Sequence, residues 1–127
     1  PTHVLAAFHQ AINEHEKEGG IVGRLKRYSN NCKIICDGMK EIGFQQLLSD
    51  DLQAPIIITF MQPQNANFKF DQFYDALSEK GFLIYPGKLT IANTFRIGCI
   101  GNLTSNDMHN VLQAIKATIK ELKIQIN

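Results

Sequence analysis

The stretch Thr94-Phe95-Arg96-Ile97-Gly98-Cys99-Ile100-Gly101 decides the fold of this chain of 127 residues. Successive side chains of a strand point to opposite faces, so alternate apolar residues share one face: Phe95, Ile97 and Cys99. Arg96 and Gly98 share the other face. The pattern predicts a strand over residues 94–100 that covers a core with one face, carries an arginine on the other and ends at Gly101.

Segments upstream of that strand are also rich in apolar, β-branched or aromatic residues. The most apolar of them, residues 56–61, is predicted to be a central strand. Residues 44–48 and 82–85 are predicted to form shorter strands. After the second of these, Tyr85-Pro86-Gly87-Lys88 predicts a tight turn that leads toward the arginine strand.

Apolar residues at helical spacing predict helices on either side of these strands. The first covers residues 3–17, with Thr2 as its predicted cap, and the second covers residues 21–42, with Gly43 as its stop. The third helix ends at Gly81 and is marked by four apolar residues: Phe70, Phe73, Tyr74 and Leu77.

The last helix begins at a capping pattern formed by Thr104 and Asp107. The predicted order of elements is therefore α-α-β-β-α-β-β-α, in which no simple βαβ series joins the strands. This order is typical of an α+β fold, a small, mostly antiparallel sheet with helices packed on one face. The length suits one domain with one hydrophobic core.

Composition excludes several classes of partner. The net charge is +1, which gives no reason to expect nucleic acid or a membrane surface as a partner. No apolar run approaches the roughly 20 residues that a membrane-spanning helix needs. The odd number of cysteines, three, favours reduced thiols and a cytoplasmic protein.

Arg96 is the sharpest candidate for a functional residue. An arginine in the middle of a strand, with space beside it at Gly98, can hold a carboxylate or a phosphonate by two parallel hydrogen bonds. The alternative is an edge-strand arginine paired with a nearby aspartate or glutamate. Lys88 can supply a second positive charge near Arg96, or it is an ordinary solvated turn lysine.

The cysteines and the basic residues of the second helix are interpreted as parts of the fold and not as a metal or nucleic-acid site. Cys32 and Cys36 lie four residues apart on the second helix, but structural zinc sites use four ligands and no further ligand pair accompanies them, so we interpret both as core cysteines. The basic residues of the same helix have no aromatic residues interleaved with them, so we interpret them as a solvated face or a subunit contact: Arg24, Lys26 and Arg27. We expect no metal site.

Several motifs are similar to one enzyme family. Two of them are Gly81-Phe82-Leu83-Ile84-Tyr85-Pro86-Gly87-Lys88-Leu89-Thr90 and the block from Thr94 to Gly101. The others are Pro1-Thr2-His3-Val4, Glu18-Gly19-Gly20 with Arg24, Arg27-Tyr28 and Asn31, and Ala54-Pro55-Ile56-Ile57. Over essentially its whole length the chain resembles the C-terminal part of the 2-aminoethylphosphonate–pyruvate aminotransferases. The core Arg96-Ile97-Gly98 is shared more widely, with alanine–glyoxylate and serine–pyruvate aminotransferases.

The resemblance implies the fold and the chemistry of a class V, fold-type-I enzyme. Such an enzyme is a homodimer, uses pyridoxal 5′-phosphate and moves an amino group from 2-aminoethylphosphonate to pyruvate, giving phosphonoacetaldehyde and L-alanine. It also implies that Arg96 grips the acidic group of the substrate. Small amino and keto compounds are then the expected partners.

The same resemblance implies what this chain lacks. The lysine that forms the Schiff base, the aspartate facing the pyridine nitrogen and most phosphate contacts belong to the large domain in this family. We therefore expect residues 1–127 to be a C-terminal small domain, with the large domain absent, no catalytic or cofactor-binding residues of its own, and no activity alone. The alternatives are another class V aminotransferase, or a free-standing domain that binds small anions.

Overall fold

The computed structural model of the protein describes residues 1–87 and 92–126. The helices and strands follow in the order α1 (Thr2–Lys17), α2 (Gly20–Ile42), β1 (Ile57–Met61), α3 (Phe70–Glu79), β2 (Tyr85–Pro86), β3 (Thr94–Gly98) and α4 (Ser105–Glu121). This order confirms the α+β prediction.

The three strands form one antiparallel sheet in the order β1-β3-β2, so that β3 is the central strand. Arg96 pairs with Thr59 of β1 on one side and with Tyr85 of β2 on the other. One face of the sheet is buried under the helices and is formed by four apolar side chains: Ile58, Phe60, Phe95 and Ile97. These residues alternate along β1 and β3 with residues of the other face. We call the opposite face, which carries Arg96, the outer face.

Phe95 is the centre of the core. It is completely buried, and its ring lies near five other phenylalanine rings with centroids between 5.4 and 6.5 Å away: Phe44, Phe60, Phe68, Phe70 and Phe73. These rings come from three different parts of the chain besides β3. The helices α2 and α4 add Ile35, Met39 and Ile115 to the same cluster. The cluster therefore fixes the strand on which the arginine lies.

The ends of two helices follow the predicted rules. Gly43 ends α2 in the left-handed region at φ 106°, where a glycine has no steric cost. Thr104 caps α4: its hydroxyl accepts from the Asp107 backbone N–H, and the Asp107 carboxylate accepts from the Thr104 backbone N–H at 2.7 Å. Both predictions are confirmed.

Other local predictions are wrong. Thr2 does not cap α1, because it is already its first helical residue and Pro1 occupies the cap position. Residues 44–48 contribute only one bridge, from Gln46 to Phe60. The third strand is shifted: of the predicted residues 82–85 only Tyr85 lies in β2, and Pro86, predicted to lie in a turn, is the second residue of that strand. Proline can lie in β2 although it has no backbone N–H to donate, because β2 is an edge strand.

The apolar stripes predicted along α1 and α2 are buried only in the second half of α2. The second half of α2 is buried through Cys32, Ile35 and Met39. The helix α1 buries no residue, and its apolar stripe is exposed together with the first turns of α2: Val4, Leu5, Phe8, Ile12, Ile21, Val22 and Leu25. The first part of the chain therefore contributes little to this core.

Candidate functional site

Arg96 lies in the middle of the central strand, on the outer face of the sheet, and is half-buried. Its neighbours across the sheet, Thr59 and Tyr85, point to the same side, because directly paired residues of antiparallel strands share a face. Thr59, Arg96 and Tyr85 therefore form a row across the outer face. The arginine therefore has one residue with a hydroxyl group as its neighbour on each side.

The Arg96 guanidinium is held by a backbone oxygen. Its Nε and Nη2 atoms donate to the Pro86 carbonyl at 3.3 and 3.0 Å. Within residues 1–87 and 92–126 no carboxylate lies within ion-pair distance of it. The alternative prediction placed the arginine on an edge strand, which is wrong, since β3 lies between β1 and β2. The positive charge is thus oriented by an uncharged acceptor.

Space for a ligand lies beside Arg96 on the same face. A Cβ at Gly98, two residues along the strand, would meet no atom of the described residues within 4 Å. The exposed side of the guanidinium keeps donor hydrogens for an incoming anion, because arginine has five N–H groups and the carbonyl takes two. The arrangement can bind a small acidic group through a charge-assisted, two-point contact.

The strand that holds Arg96 in place approaches β3 very closely at one point. Gly87 donates its backbone N–H to the Thr94 carbonyl at 2.9 Å. A Cβ built at Gly87 would lie 1.8 Å from Thr94 Oγ1 and 2.6 Å from the Thr94 carbonyl oxygen. Only glycine allows this approach, and it covers Thr94, which is 1% exposed although it shares a face with Arg96. The approach positions Pro86, the acceptor for the arginine.

Lys88, the other predicted site residue, lies outside the described residues, so its role stays a prediction. The role of Arg96 in binding substrate stays a prediction as well. What the structure adds is its surroundings, namely the Pro86 carbonyl, the two hydroxyl neighbours and the open space at Gly98.

A second cluster of charges lies where α1 meets α2. Glu18 accepts from the Nε atoms of both Arg24, at 2.8 Å, and Arg27. The two hydrogen bonds, first that of Arg27 and then that of Arg24, lower the pKa of Glu18 from 4.5 to about 2. The same contact with Glu18 raises the pKa of Arg27. Of the three basic residues interpreted as a solvated face or a subunit contact, Arg24 and Arg27 are half-buried and paired with Glu18, and only Lys26 is exposed, while the subunit contact stays a prediction.

The cluster also reaches the turn that follows β3. Arg27 donates to the carbonyls of Gly101 and Leu103 at 2.6 and 3.0 Å. Asn31, completely buried, donates to the carbonyls of Cys99 and Leu103 at 3.3 and 3.0 Å. These bonds fix the end of the strand that carries the candidate site. The signal for them was in the sequence, in the resemblance of Glu18-Gly19-Gly20, Arg24, Arg27 and Asn31 to one motif.

The cysteines lie in the interior. Cys32 and Cys99 are buried, Cys36 is half-buried, and the Sγ atoms of Cys32 and Cys36 are 3.9 Å apart. Burial raises the pKa of both Cys36 and Cys99 to about 12, which keeps these thiols protonated. The interpretation as core cysteines is confirmed for Cys32. Among the described residues, no group of three or more His, Cys, Asp or Glu is arranged to hold a metal ion.

None of the helices in the described part of the chain combines the length and the apolar character that a membrane span requires. No family model matches the chain.

Three curated relatives carry the same name. A 2-aminoethylphosphonate–pyruvate transaminase of Rhizobium meliloti is 47% identical over 124 residues, which are 98% of this chain and 32% of that protein. Transaminases of the same name from Paraburkholderia phymatum and Pseudomonas aeruginosa (strain UCBPP-PA14) are 46% and 44% identical over 99% and 98% of this chain. The chain spans about a third of the length of these relatives.

Solved structures agree on the fold. The ureidoglycine–glyoxylate aminotransferase of Bacillus subtilis superposes with a TM-score of 0.79 at 20% identity over 93% of this chain and 30% of its own. The 8-amino-7-oxononanoate synthase of Francisella tularensis gives 0.63 at 19% identity over 90% of this chain and 32% of its own. Along nearly all its length, the chain is thus homologous to a segment that makes up about one third of each of these 2-aminoethylphosphonate–pyruvate transaminases.

Proposed function

We propose that residues 1–127 are the C-terminal small domain of an aminotransferase that moves an amino group from 2-aminoethylphosphonate to pyruvate, giving phosphonoacetaldehyde and L-alanine. The observation that carries the proposal is the setting of Arg96, a guanidinium with no described acidic partner on an open sheet face. The name shared by the relatives supports the choice of reaction.

In this proposal Arg96 binds the acidic end of the substrate and thereby orients its amino end. The Pro86 carbonyl holds the guanidinium before the substrate arrives, so less side-chain freedom is lost on binding. The rigid strand beneath it limits where the amino group can lie, which is catalysis by orientation. Lys88 is proposed to add positive charge near the same group.

The outer face needs a cover to become a binding pocket. Leu83, Tyr85 and Ile100 are 67%, 55% and 41% exposed, and Leu83 and Tyr85 alternate with the buried Ile84. Apolar exposure beside a charged group is typical of a surface that another part of a protein completes. We propose that a large domain supplies this cover, that the enzyme is a homodimer, and that it acts on small amino and keto compounds in the cytoplasm, where its free cysteines stay reduced.

Pyridoxal 5′-phosphate is the carrier that enzymes of this kind use for amino groups. The described lysines do not fit its attachment, which requires a desolvated pocket or a neighbouring cation. All of them are exposed except Lys80, and Lys80 is paired with Glu121 at 2.7 Å. We therefore propose that the attachment lysine belongs to the large domain and that residues 1–127 alone are inactive.

The test is an assay of the complete gene product that carries this chain, with pyruvate as acceptor and 2-aminoethylphosphonate, serine and alanine as donors. We expect the visible absorbance of a pyridoxal Schiff base and the fastest alanine formation from 2-aminoethylphosphonate. Faster transfer from serine or alanine makes the protein another class V aminotransferase. A gene product with no cofactor absorbance and no transfer, but with anion binding that Arg96→Ala abolishes, makes it a free-standing anion-binding domain.

A further inference from the structure

We propose that Tyr85 is a specificity-determining residue of this site, whose hydroxyl binds the third oxygen of a phosphonate and so selects phosphonate over carboxylate donors. This inference rests on the proposed function, because it concerns the substrate that Arg96 binds. Three observations lead to it: the register of the sheet, the direction in which the guanidinium is held, and the exposure of the tyrosine.

The register brings the phenol beside the guanidinium. Tyr85 is the direct partner of Arg96 across the antiparallel pair β2–β3, and directly paired side chains leave the same face of a sheet with Cβ atoms about 5 Å apart. Tyr85 is 55% exposed, so its side chain lies on the sheet surface and not in the core. A ligand held by Arg96 on the outer face therefore lies against Tyr85.

The hydrogen bonds of the guanidinium decide between its two hydroxyl neighbours. Arg96 donates twice to the carbonyl of Pro86, which directly follows Tyr85 on β2. The head of the side chain is therefore drawn toward β2 and away from Thr59 on β1. The tyrosine side chain also reaches farther from the sheet than threonine, to the height at which a long arginine ends. Tyr85 is thus the better placed donor.

The count of oxygens makes this donor selective. A carboxylate has two oxygens, and one arginine can take both through parallel hydrogen bonds. A phosphonate has three, so one oxygen stays without a partner unless another group donates to it. A tyrosine hydroxyl beside the arginine fills that need, whereas the arginine already takes both oxygens of a carboxylate. Tyr85 therefore strengthens the binding of the phosphonate more than that of its carboxylate analogue.

The experiment compares Tyr85→Phe with the unchanged complete gene product. The donors are 2-aminoethylphosphonate and 3-aminopropanoate, which differ only in the acidic group, with pyruvate as acceptor. We expect Tyr85→Phe to lower kcat/KM for the phosphonate about 10- to 100-fold, since hydrogen bonds to charged groups are among the stronger ones, and to change that for the carboxylate less than about threefold. Thr59→Val, which removes the opposite hydroxyl and keeps its shape, is the matched control and should leave the ratio of the two within about threefold.

A second measurement needs no amino transfer. The affinities of ethylphosphonate and propanoate, measured by calorimetry on the same proteins, should show the same selective loss for the phosphonate. Equal losses for both ligands, no loss, or a selective loss in Thr59→Val instead of Tyr85→Phe would each overturn the inference. A protein that transfers no amino group but binds ethylphosphonate selectively through Tyr85 overturns the proposed reaction and supports the role of Tyr85.

Discussion

Gly87→Ala should disturb the candidate site from a distance, through the close approach of β2 to β3. The added Cβ would lie 1.8 Å from Thr94 Oγ1 and 2.6 Å from the Thr94 carbonyl oxygen, whereas ordinary contacts begin at 3.4 Å. Rotation of the Thr94 side chain cannot relieve the contact with its backbone oxygen. The chain at residue 87 must therefore move away from β3, and Pro86 moves with it.

The size of the movement sets the size of the effect. Relieving the contact with the Thr94 backbone oxygen, from 2.6 Å to the ordinary 3.4 Å, requires a shift of about 0.8 Å, which would lengthen the 3.0 Å bond from Arg96 Nη2 to the Pro86 carbonyl to about 3.8 Å and break it. Overpacking of this kind costs about 1–3 kcal/mol in the free energy of unfolding. For a chain of this length, each kcal/mol lowers Tm by roughly 4 °C.

Gly98→Ala is the matched control for Gly87→Ala, since a Cβ at Gly98 would lie farther than 4 Å from every atom in the described part of the chain. Thermal and urea unfolding of both variants should show a loss of stability for Gly87→Ala and a change within about 0.5 kcal/mol for Gly98→Ala. In the complete gene product we expect Gly87→Ala also to weaken ethylphosphonate binding. A Gly87→Ala protein as stable as the unchanged chain, with unchanged binding, would show that the close approach at Gly87 does not hold Arg96 in place.

Three further substitutions test the fold around the site. Glu18→Gln should lower the free energy of unfolding at neutral pH and change it little at about pH 2. The pKa of Glu18 is about 2 in the folded chain, below the usual 4.5, so its ionised form stabilises the fold above pH 4.5 and this contribution is lost as the pH falls through 2. Urea unfolding as a function of pH measures the difference, and a difference independent of pH contradicts the prediction. Phe95→Ala should lower the free energy of unfolding by about 3–5 kcal/mol, since it empties the centre of the aromatic cluster, and a loss below about 1 kcal/mol would show that the cluster is not the core. Thr104→Ala should cost about 1 kcal/mol by removing the cap of α4, and Thr104→Ser, which keeps the hydroxyl, should restore most of it; equal losses in both would contradict the capping role.

Short-range patterns in the sequence predicted much of the fold. The alternation in residues 94–100 correctly identified the buried residues Phe95, Ile97 and Cys99, and the Thr104–Asp107 pattern correctly identified the start of α4. These features depend on neighbours along the chain, which the sequence displays directly. Pro86 was assigned wrongly to a turn, because proline usually signals one. The place of Tyr85-Pro86 in an edge strand depends on pairing with Arg96 and Phe95, which lie nine to eleven residues away.

The long-range contacts around the site could not be predicted from local patterns. Glu18 meets Arg27 across a glycine corner, and Arg27 donates to Gly101, 74 residues away. Spacing along a helix showed these residues only as a basic cluster. Likewise, the arginine on the outer face followed from alternation alone, whereas its bond to Pro86 and its neighbour Tyr85 required the register of the sheet.

The binding of the substrate by Arg96 is tested most directly by a structure of the complete gene product with 2-aminoethylphosphonate bound. We expect two nitrogen atoms of the Arg96 guanidinium at about 2.7–3.2 Å from two phosphonate oxygens, on the outer face of the sheet. A phosphonate bound at another residue, or Arg96 paired with a carboxylate of the protein, would contradict it.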